Sequence, residues 1–340
     1  MNYTKLGNFE AVCLIVILFI NHLVLNLPQM ILDNSVNAST LNSIYILALS
    51  LLFVFLVLKL LKNFTSLDII DISEYLGGKF LKILVGILCI IYLIIEASFL
   101  VRMFSKNLLL AYFNNYPISF IIFMFLFVVV VANLMGRKSI IKVNTMVVPV
   151  ALFSILFTFV FVANLLRIEL SLPIFADGAN TIFITGASNI FAFNGLFFLF
   201  FISPLLDKKE DISKVAFSST LICGIFLILS ILALVFAFSD IYSIIRVSRL
   251  YFIIINSKLT SFLERPEIIF IFIWALALMS FLSVAVMFVL NIFKKLTNTK
   301  NVQNLAVTVC TIIFVISLLI NNVFILEKFK IVIAVEKKRY

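Results

Sequence analysis

The stretch ITGASNIFAFNGLFFLFFISP, residues 184–204, decides how this chain folds. It is long and apolar enough to cross a bilayer core of ~30 Å as a helix. Phe193, Asn194 and Gly195 lie near its middle. Because glycine loosens a helix and asparagine bonds to local backbone, these residues predict a membrane helix that is interrupted there. The alternative is a close helix–helix contact made by small residues.

The first apolar run of the chain carries a similar interruption. It contains Asn21, His22, Asn26 and Pro28. A proline inside a helix lacks the N–H donor and clashes with the preceding turn, which predicts a break or kink near 24–28. His22 is either a packing histidine bonded to a neighbouring carbonyl or one wall of a polar cavity.

The two interruptions fall in the first and the sixth apolar runs. That spacing is typical of a five-plus-five inverted repeat in which broken helices 1 and 6 meet near the bilayer midplane. The free N–H groups at such breaks, at the positive end of the helix dipole, bind anionic groups such as a carboxylate. The sequence therefore predicts a ligand site between these two helices.

The composition places the whole chain in the membrane. Of its 340 residues, 64% are hydrophobic and 12% are charged, against about 45–50% and about 25% in soluble domains. A soluble globule, a disordered chain and a coiled coil are excluded. We predict an all-α polytopic membrane protein with nine to ten transmembrane helices. Nine apolar runs are predicted to span, at 9–31, 41–61, 80–101, 118–135, 143–166, 181–206, 213–238, 267–293 and 302–320.

Residues 1–320 are expected to form one transmembrane domain, and the first span is not expected to be a cleaved signal peptide. Residues 321–340 are a short basic tail that is either interfacial or a truncated last span. Two connections are long, 167–180 and 239–266. The second mixes apolar and basic residues, as in an interfacial amphipathic helix, although a solvated connector is the alternative.

The basic residues indicate the orientation of the chain. Of 26 Lys and Arg residues, 14 lie on the side of the N-terminus, 7 on the other side and 5 in the tail. The positive-inside rule places the more basic side, with the N-terminus, in the cytoplasm. With nine spans the basic tail would lie outside, against the same rule, and the sequence leaves that conflict open.

Further polar groups lie at membrane depth. Glu96 is the only acid inside the third apolar run, and Tyr92 lies one turn before it on the same face. Glu96 either pairs with a base such as Arg102 or binds a ligand amine or a proton. Ser280 and Ser283 share a face of the eighth run, as packing residues or as ligand contacts. Trp274, early in the same run, fits an interfacial anchor or the bundle interior.

Several functions are not supported by the sequence. The four cysteines lie singly in separate apolar runs and there is one histidine, so we expect no disulfide and no metal site. Because the basic residues flank membrane spans, we expect no nucleic-acid partner. The motifs of nucleotide-binding loops, zinc peptidases and serine hydrolases are missing, so neither an enzyme nor a cofactor is expected.

Four stretches resemble one known family, the spore germination permeases, which are the B subunits of nutrient germinant receptors. They are FLERPEIIFIFIW (262–274), SEYLGGKFLKILVGILCIIY (73–92), SLPIF (171–175) and FNG followed by FFLFFISPLL (193–206). The resemblance runs over about residues 5–320. It implies the amino acid–polyamine–organocation superfamily, with broken helices and an inverted repeat. This chain departs from the family after Gly195, where leucine and phenylalanine replace a common acidic residue.

The resemblance implies a receptor subunit in the spore inner membrane that binds a small nutrient, often an amino acid. Its partners would be a germinant receptor A subunit, a C lipoprotein and the lipid bilayer. A proton-coupled secondary amino acid transporter is the alternative, and a non-binding scaffold is a third interpretation. The predicted ligand contacts are Asn21, His22, Asn26, Tyr92, Glu96, Phe193, Asn194, Gly195, Ser280 and Ser283.

The predicted orientation can be tested with single cysteines. In a background without the native cysteines, Lys138→Cys should stay unlabelled by an impermeant thiol reagent on intact cells, because 137–142 is predicted to be cytoplasmic. Arg246→Cys, in an outside loop, should be labelled. Labelling at 138 without labelling at 246 would reverse the orientation.

Overall fold

The computed structural model describes most of the chain, in eleven pieces. They are residues 5–25, 28, 31–32, 38–64, 67–113, 115–162, 181–206, 208, 211–237, 266–299 and 301–320. The predictions made for Asn26 and for the tail at 321–340 lie outside these residues. Those for the long loops at 167–180 and 239–266 also lie outside them, Pro266 excepted.

Helices make up nearly all of the described structure. Each predicted span overlaps a described helical segment, and the described residues contain no strand, only an isolated bridge between Leu6 and Leu206. The all-α prediction is therefore confirmed. The helices are α1 (Asn8–Leu25), α2 (Ser39–Leu61), α3 (Ile69–Ala111), α4 (Ile118–Met135), α5 (Arg137–Val162), α6 (Leu199–Ile202), α7 (Ile212–Ala237), α8 (Pro266–Thr297) and α9 (Leu305–Leu319).

The long helices have the length and surface of membrane spans. Six of the described helices, α2, α3, α4, α5, α7 and α8, are long and apolar enough to cross a bilayer, and shorter apolar helices occur at Asn8–His22, Gly195–Leu205 and Leu305–Leu319. Large apolar side chains such as Phe55, Phe127 and Phe153 are more than half exposed. In water such a surface would cause association, whereas lipid covers it without cost. The polytopic membrane fold is confirmed.

Segment 6, which we define as Thr181–Leu205, departs from a regular α-helix as its sequence predicts. It begins with a π-helical turn at Thr181–Thr185 and continues as a 3₁₀ helix over Gly186–Phe198 before α6. Runs of 3₁₀ helix longer than about 3–4 residues are uncommon and often mark strain or a hinge. The backbone is non-helical at Phe193, with φ −94° and ψ 27°, immediately before Asn194 and Gly195.

The long helix α3 bends near its beginning. Its backbone is non-helical at Gly77 and Gly78, and Gly78 has φ +67°, a conformation that costs glycine nothing and other residues energy. The predicted span at 80–101 follows directly after this bend. At the start of α3 the side chain of Asp68 caps the helix, accepting hydrogen bonds from the N–H groups of Ile70 and Asp71.

An ion cluster joins the start of α3 to the end of α8. Lys295 Nζ lies 2.5 Å from Asp68 Oδ2 and 2.6 Å from Asp71 Oδ2. The Lys295 and Asp68 side chains are about nine-tenths buried. Burial raises the pKa of the Asp68 carboxyl, and the Lys295 ammonium opposes that rise. Lys295 is therefore a base that both acids share.

The helix α8 lies at the centre of the bundle and positions the candidate site. It contacts α1, α3, α4, α5 and α9. Its buried side chains include Trp274 and Phe281, both among the largest fully buried side chains described. The helix α1 in turn contacts α3, α5, α7, α8 and segment 6. Polar groups on α1 are thus enclosed by several helices.

The ion cluster should be needed for stability. We expect Lys295→Gln to lower the free energy of unfolding by about 3 kcal/mol, because it leaves two partly buried carboxylates without their base. The thermal denaturation midpoint in a non-ionic detergent measures this. Lys214→Gln is the matched control, because Lys214 pairs with Asp211 at an exposed position and its loss should leave the midpoint close to that of the wild type. Equal midpoints for the two variants would contradict a stabilising role for the cluster.

Candidate functional site

Asn21 connects α1 to α8. Its amide nitrogen donates to the carbonyls of Ala277, at 3.2 Å, and of Ile17, at 3.4 Å. Because two carbonyls accept from the nitrogen, the orientation of the amide is fixed, and Oδ1 points away from both carbonyls. Asn21 is fully buried, and its Oδ1 has no hydrogen-bond partner among the described residues. A buried acceptor of this kind costs free energy unless a ligand or water satisfies it.

The next residue connects α1 to α3. His22 Nε2 lies 3.0 Å from Glu96 Oε1, within hydrogen-bonding distance. In the tautomer that carries the proton on Nε2, the ring N–H donates to the carboxylate. Both side chains are at least nine-tenths buried, and the His22 ring packs edge-on against Phe281 of α8. Removing a carboxylate from water is costly, so the histidine compensates part of that cost. The sequence analysis predicted both residues as candidates but not this pairing.

The helix α1 and segment 6 approach each other closely at Gly195. The rings of Phe19 and Phe193 have centroids 4.8 Å apart. A Cβ added to Gly195 would lie 3.3 Å from Phe19 Cβ and 3.5 Å from the Leu18 carbonyl oxygen. Gly195 thus permits contact between the two helices at the point where segment 6 departs from helical geometry.

Tyr92 brings α3 into the same region. Its ring lies 5.6 Å from that of Phe197 in segment 6, at an angle of 67°. Tyr92 and Glu96 are four residues apart and share a face of α3. That face therefore contacts segment 6 through Tyr92 and α1 through Glu96.

Trp274 lies in the bundle interior and is not an interfacial anchor, which were the two interpretations that its sequence position allowed. It is 1% exposed, and its ring packs on Phe270 at 5.8 Å. Its indole Nε1 has no hydrogen-bond partner within the described part of the chain. Trp274 lies three residues before Ala277, the acceptor for Asn21, on the same face of α8. The helix α8 thus carries a residue with a buried indole donor one turn before the carbonyl that holds the Asn21 amide.

The remaining predicted residues are placed differently or incompletely. Ser280 and Ser283 are buried, but the Ser283 hydroxyl donates to the carbonyl of Met279 at 2.7 Å, as in ordinary helix packing. The Ser283 carbonyl accepts from Asn133 of α4 at 3.3 Å. For Asn194 only the backbone is described. The roles of Ser280, Ser283 and Asn194 as ligand contacts stay predictions.

Two buried polar features were missed at the sequence level. Asn144 of α5 is fully buried, and neither atom of its amide has a partner in the described structure. Asn189 Nδ2 donates to Asn42 Oδ1 at 2.9 Å, and Asn42 Nδ2 donates to the Ile182 carbonyl at 2.8 Å, which fastens segment 6 to α2. In each case the available signal is an asparagine inside an apolar run.

Metal binding finds no support in the described ranges. No group of three or more His, Cys, Asp or Glu side chains there could hold a metal ion. The four cysteines are buried and free.

The fold defines a polytopic α-helical membrane protein with a polar cluster enclosed by α1, α3, α8 and segment 6. Residues 5–324 match the family described as spore germination protein, the spore permeases, and the chain belongs to that family. The resemblance drawn from four sequence stretches is therefore confirmed. This is a permease family and not a known class of enzyme.

A curated relative agrees with the family. The chain is 22% identical over 164 residues to spore germination protein B2 of Bacillus subtilis (strain 168). That match covers 48% of this chain and 45% of the relative, so it spans about half of each protein.

The close approach at Gly195 makes a testable prediction. Gly195→Leu should lower the thermal denaturation midpoint and abolish any ligand response while the protein remains in the membrane. The added side chain separates α1 from segment 6, and overpacking of this kind costs about 1–3 kcal/mol. Gly7→Leu is the matched control, because a Cβ there meets nothing within 4 Å. An unchanged midpoint and response in Gly195→Leu would place the helix contact and the cavity elsewhere.

Proposed function

We propose that this chain is a B-subunit-like component of a spore nutrient germinant receptor, which binds a small nutrient in the membrane and triggers germination. The observation that carries the proposal is the family match over residues 5–324. The class of nutrient that the site suits best is an amino acid. The protein resides in the spore inner membrane with its N-terminus in the cytoplasm.

The ammonium group of the amino acid binds at Glu96 and Asn21. A carboxylate has about four acceptor positions, so a Glu96 that accepts from His22 retains capacity for an ammonium donor. Asn21 Oδ1 adds a buried acceptor whose direction is fixed by the two carbonyls that hold its nitrogen. In a low-dielectric interior, these acceptors replace the water that the ammonium loses on entry.

The carboxylate group of the ligand binds on the other side of the cluster. Trp274, one turn before Ala277 on α8, carries a buried indole N–H donor, and backbone N–H groups near Asn194–Gly195 supply further donors at the interruption of segment 6. Phe193 and Tyr92 supply apolar walls. A zwitterion thus meets acceptors at one end and donors at the other.

Signalling requires partners and a conformational change. The ligand enters from outside between α1, α3, segment 6 and α8, and these helices close around it. The closed state is stabilised only by the ligand's differential affinity for it. The partners are a germinant receptor A subunit, which extends into the cytosol, and a C lipoprotein on the outer surface.

The ammonium contact is tested with Glu96→Gln. We expect binding of amino acids, screened as a panel by thermal shift on purified protein, to weaken by about tenfold to a hundredfold, since a hydrogen bond to a charged group contributes about 1.5–3 kcal/mol. Glu74→Gln is the matched control, because Glu74 makes a partly exposed pair with Lys82. Equal affinity in wild type and Glu96→Gln would remove Glu96 from the site.

The carboxylate contact is tested with Trp274→Phe. This change keeps an aromatic ring and removes the indole N–H, so affinity for the amino acid should fall about tenfold. Affinity for the corresponding amine without a carboxylate should stay the same. An equal loss for both ligands would assign Trp274 to packing.

A proton-coupled amino acid transporter is the second candidate. The observation that favours it is the buried His22–Glu96 pair, since titratable pairs inside membrane bundles often relay protons. Uptake of a labelled amino acid into liposomes by the purified chain alone, driven by an imposed proton gradient, would support the transporter. Binding without uptake, together with a germination response that needs the partner subunits, would support the receptor. If no amino acid of the panel binds, the interpretation of the chain as a structural scaffold is supported instead.

A further inference from the structure

A polar cavity, separate from the cluster around Glu96, lies at the opposite end of α8 from Trp274. Its volume is about 240 Å³, roughly eight times the ~30 Å³ that one water occupies in the liquid. It lies between the turn that joins α4 to α5, the end of α8 and the connection to α9. Its polar lining consists of two bases and four carboxamides: Asn133, Arg137, Asn291, Lys294, Asn301 and Gln303.

The charge of this lining is positive. None of the residues described around the cavity is an acid. Asp68 lines a small adjoining cavity with Arg137 and Lys295, and Asp68 and Asp71 both contact Lys295 within 2.6 Å. Among the described residues that line the two cavities there are three bases, Arg137, Lys294 and Lys295, and one acid, Asp68. The described lining therefore carries more positive than negative charge.

The donor set matches a phosphate group. A guanidinium binds phosphate oxygens through two parallel hydrogen bonds, and an ammonium adds a compact positive charge. Carboxamide NH₂ groups supply neutral donors to the remaining oxygens. The turn at Gly136, with φ +95°, brings Arg137 and Gln303 to one wall, since a Cβ at Gly136 would lie 3.4 Å from Gln303 Nε2.

The surroundings of the cavity indicate a lipid source for that phosphate. Leu134 and Met135, which directly precede the turn, are 46% and 70% exposed, and Val307 near the start of α9 is 50% exposed. These side chains continue the lipid-facing surface up to the mouth of the cavity. Basic pockets between membrane helices on the cytoplasmic side are typical binding sites for anionic lipid headgroups, and the positive-inside rule predicts the cytoplasmic side for this end.

We propose that this cavity binds a phosphate-bearing anion, the headgroup of an anionic phospholipid. The site is separate from the Glu96 cluster, and the proposal does not depend on the nutrient-binding role. Occupancy joins the α4–α5 turn to the end of α8 through one ligand. The lipid is then a structural ligand of the bundle.

The test uses the full chain purified in a non-ionic detergent. Short-chain phosphatidylglycerol should raise the thermal denaturation midpoint in a saturable manner, and diacylglycerol, which lacks the phosphate, should not. Lys294→Gln and Arg137→Gln should each weaken the apparent affinity about tenfold, as expected for losing one charged contact. Lys138→Gln is the matched control, because Lys138 is exposed and adjacent to Arg137 but does not line the cavity.

The possible outcomes distinguish a phospholipid headgroup from soluble phosphate as the ligand, or they reject the site. Stabilisation by inorganic phosphate as strong as that by phosphatidylglycerol, and lost in Lys294→Gln, would support the site with a soluble phosphate as its ligand. Because Arg137→Gln also alters the neighbourhood of Asp68, Lys294→Gln provides the independent test. Equal phosphatidylglycerol affinity in wild type, Lys294→Gln and Lys138→Gln would overturn the proposal.

Discussion

A bilayer core offers no water to a buried polar group, and the arrangement of this bundle follows from that constraint. Glu96 is the clearest case, since a carboxylate on an otherwise apolar run must find a donor inside the protein. His22 supplies one at 3.0 Å. Because His22 lies on α1 and Glu96 on α3, satisfying the carboxylate also fixes the position of α1 against α3. Asn21 then fixes α1 against α8 by donating to Ala277.

Not every polar group at this level is satisfied in the described structure. Asn21 Oδ1 and Trp274 Nε1 are buried and lack partners among the described residues. Segment 6, which packs on α1 through Phe193, is not a regular α-helix. Buried unsatisfied groups and irregular backbone at membrane depth are both tolerated where they line a cavity or bind a ligand. Their coincidence around α1 is the physical basis for placing the nutrient site there.

Much of the fold could be predicted from the sequence because the bilayer imposes a single length and a single polarity on each span. The apolar runs predicted where the described helical segments lie, and Asn194 with Gly195 marked the interruption of segment 6. The site was harder to predict. His22 and Glu96 are 74 residues apart, and no periodicity within either run specifies which helices meet. Asn144 and Asn42 stayed unnoticed because a single asparagine in an apolar run is also common in ordinary packing. The five-plus-five repeat stays a prediction, since the connections that would display it lie outside the described residues.

We propose that Glu96 is an ionised acceptor inside the bundle and receives the ammonium group of an amino acid. Infrared difference spectroscopy of the protein in membranes, recorded with and without the amino acid that binds best, tests this role of Glu96. We expect a carboxylate stretching band that shifts when the ligand is added and is missing in Glu96→Gln. A protonated carboxyl band assigned to Glu96 that does not change on ligand addition would contradict it.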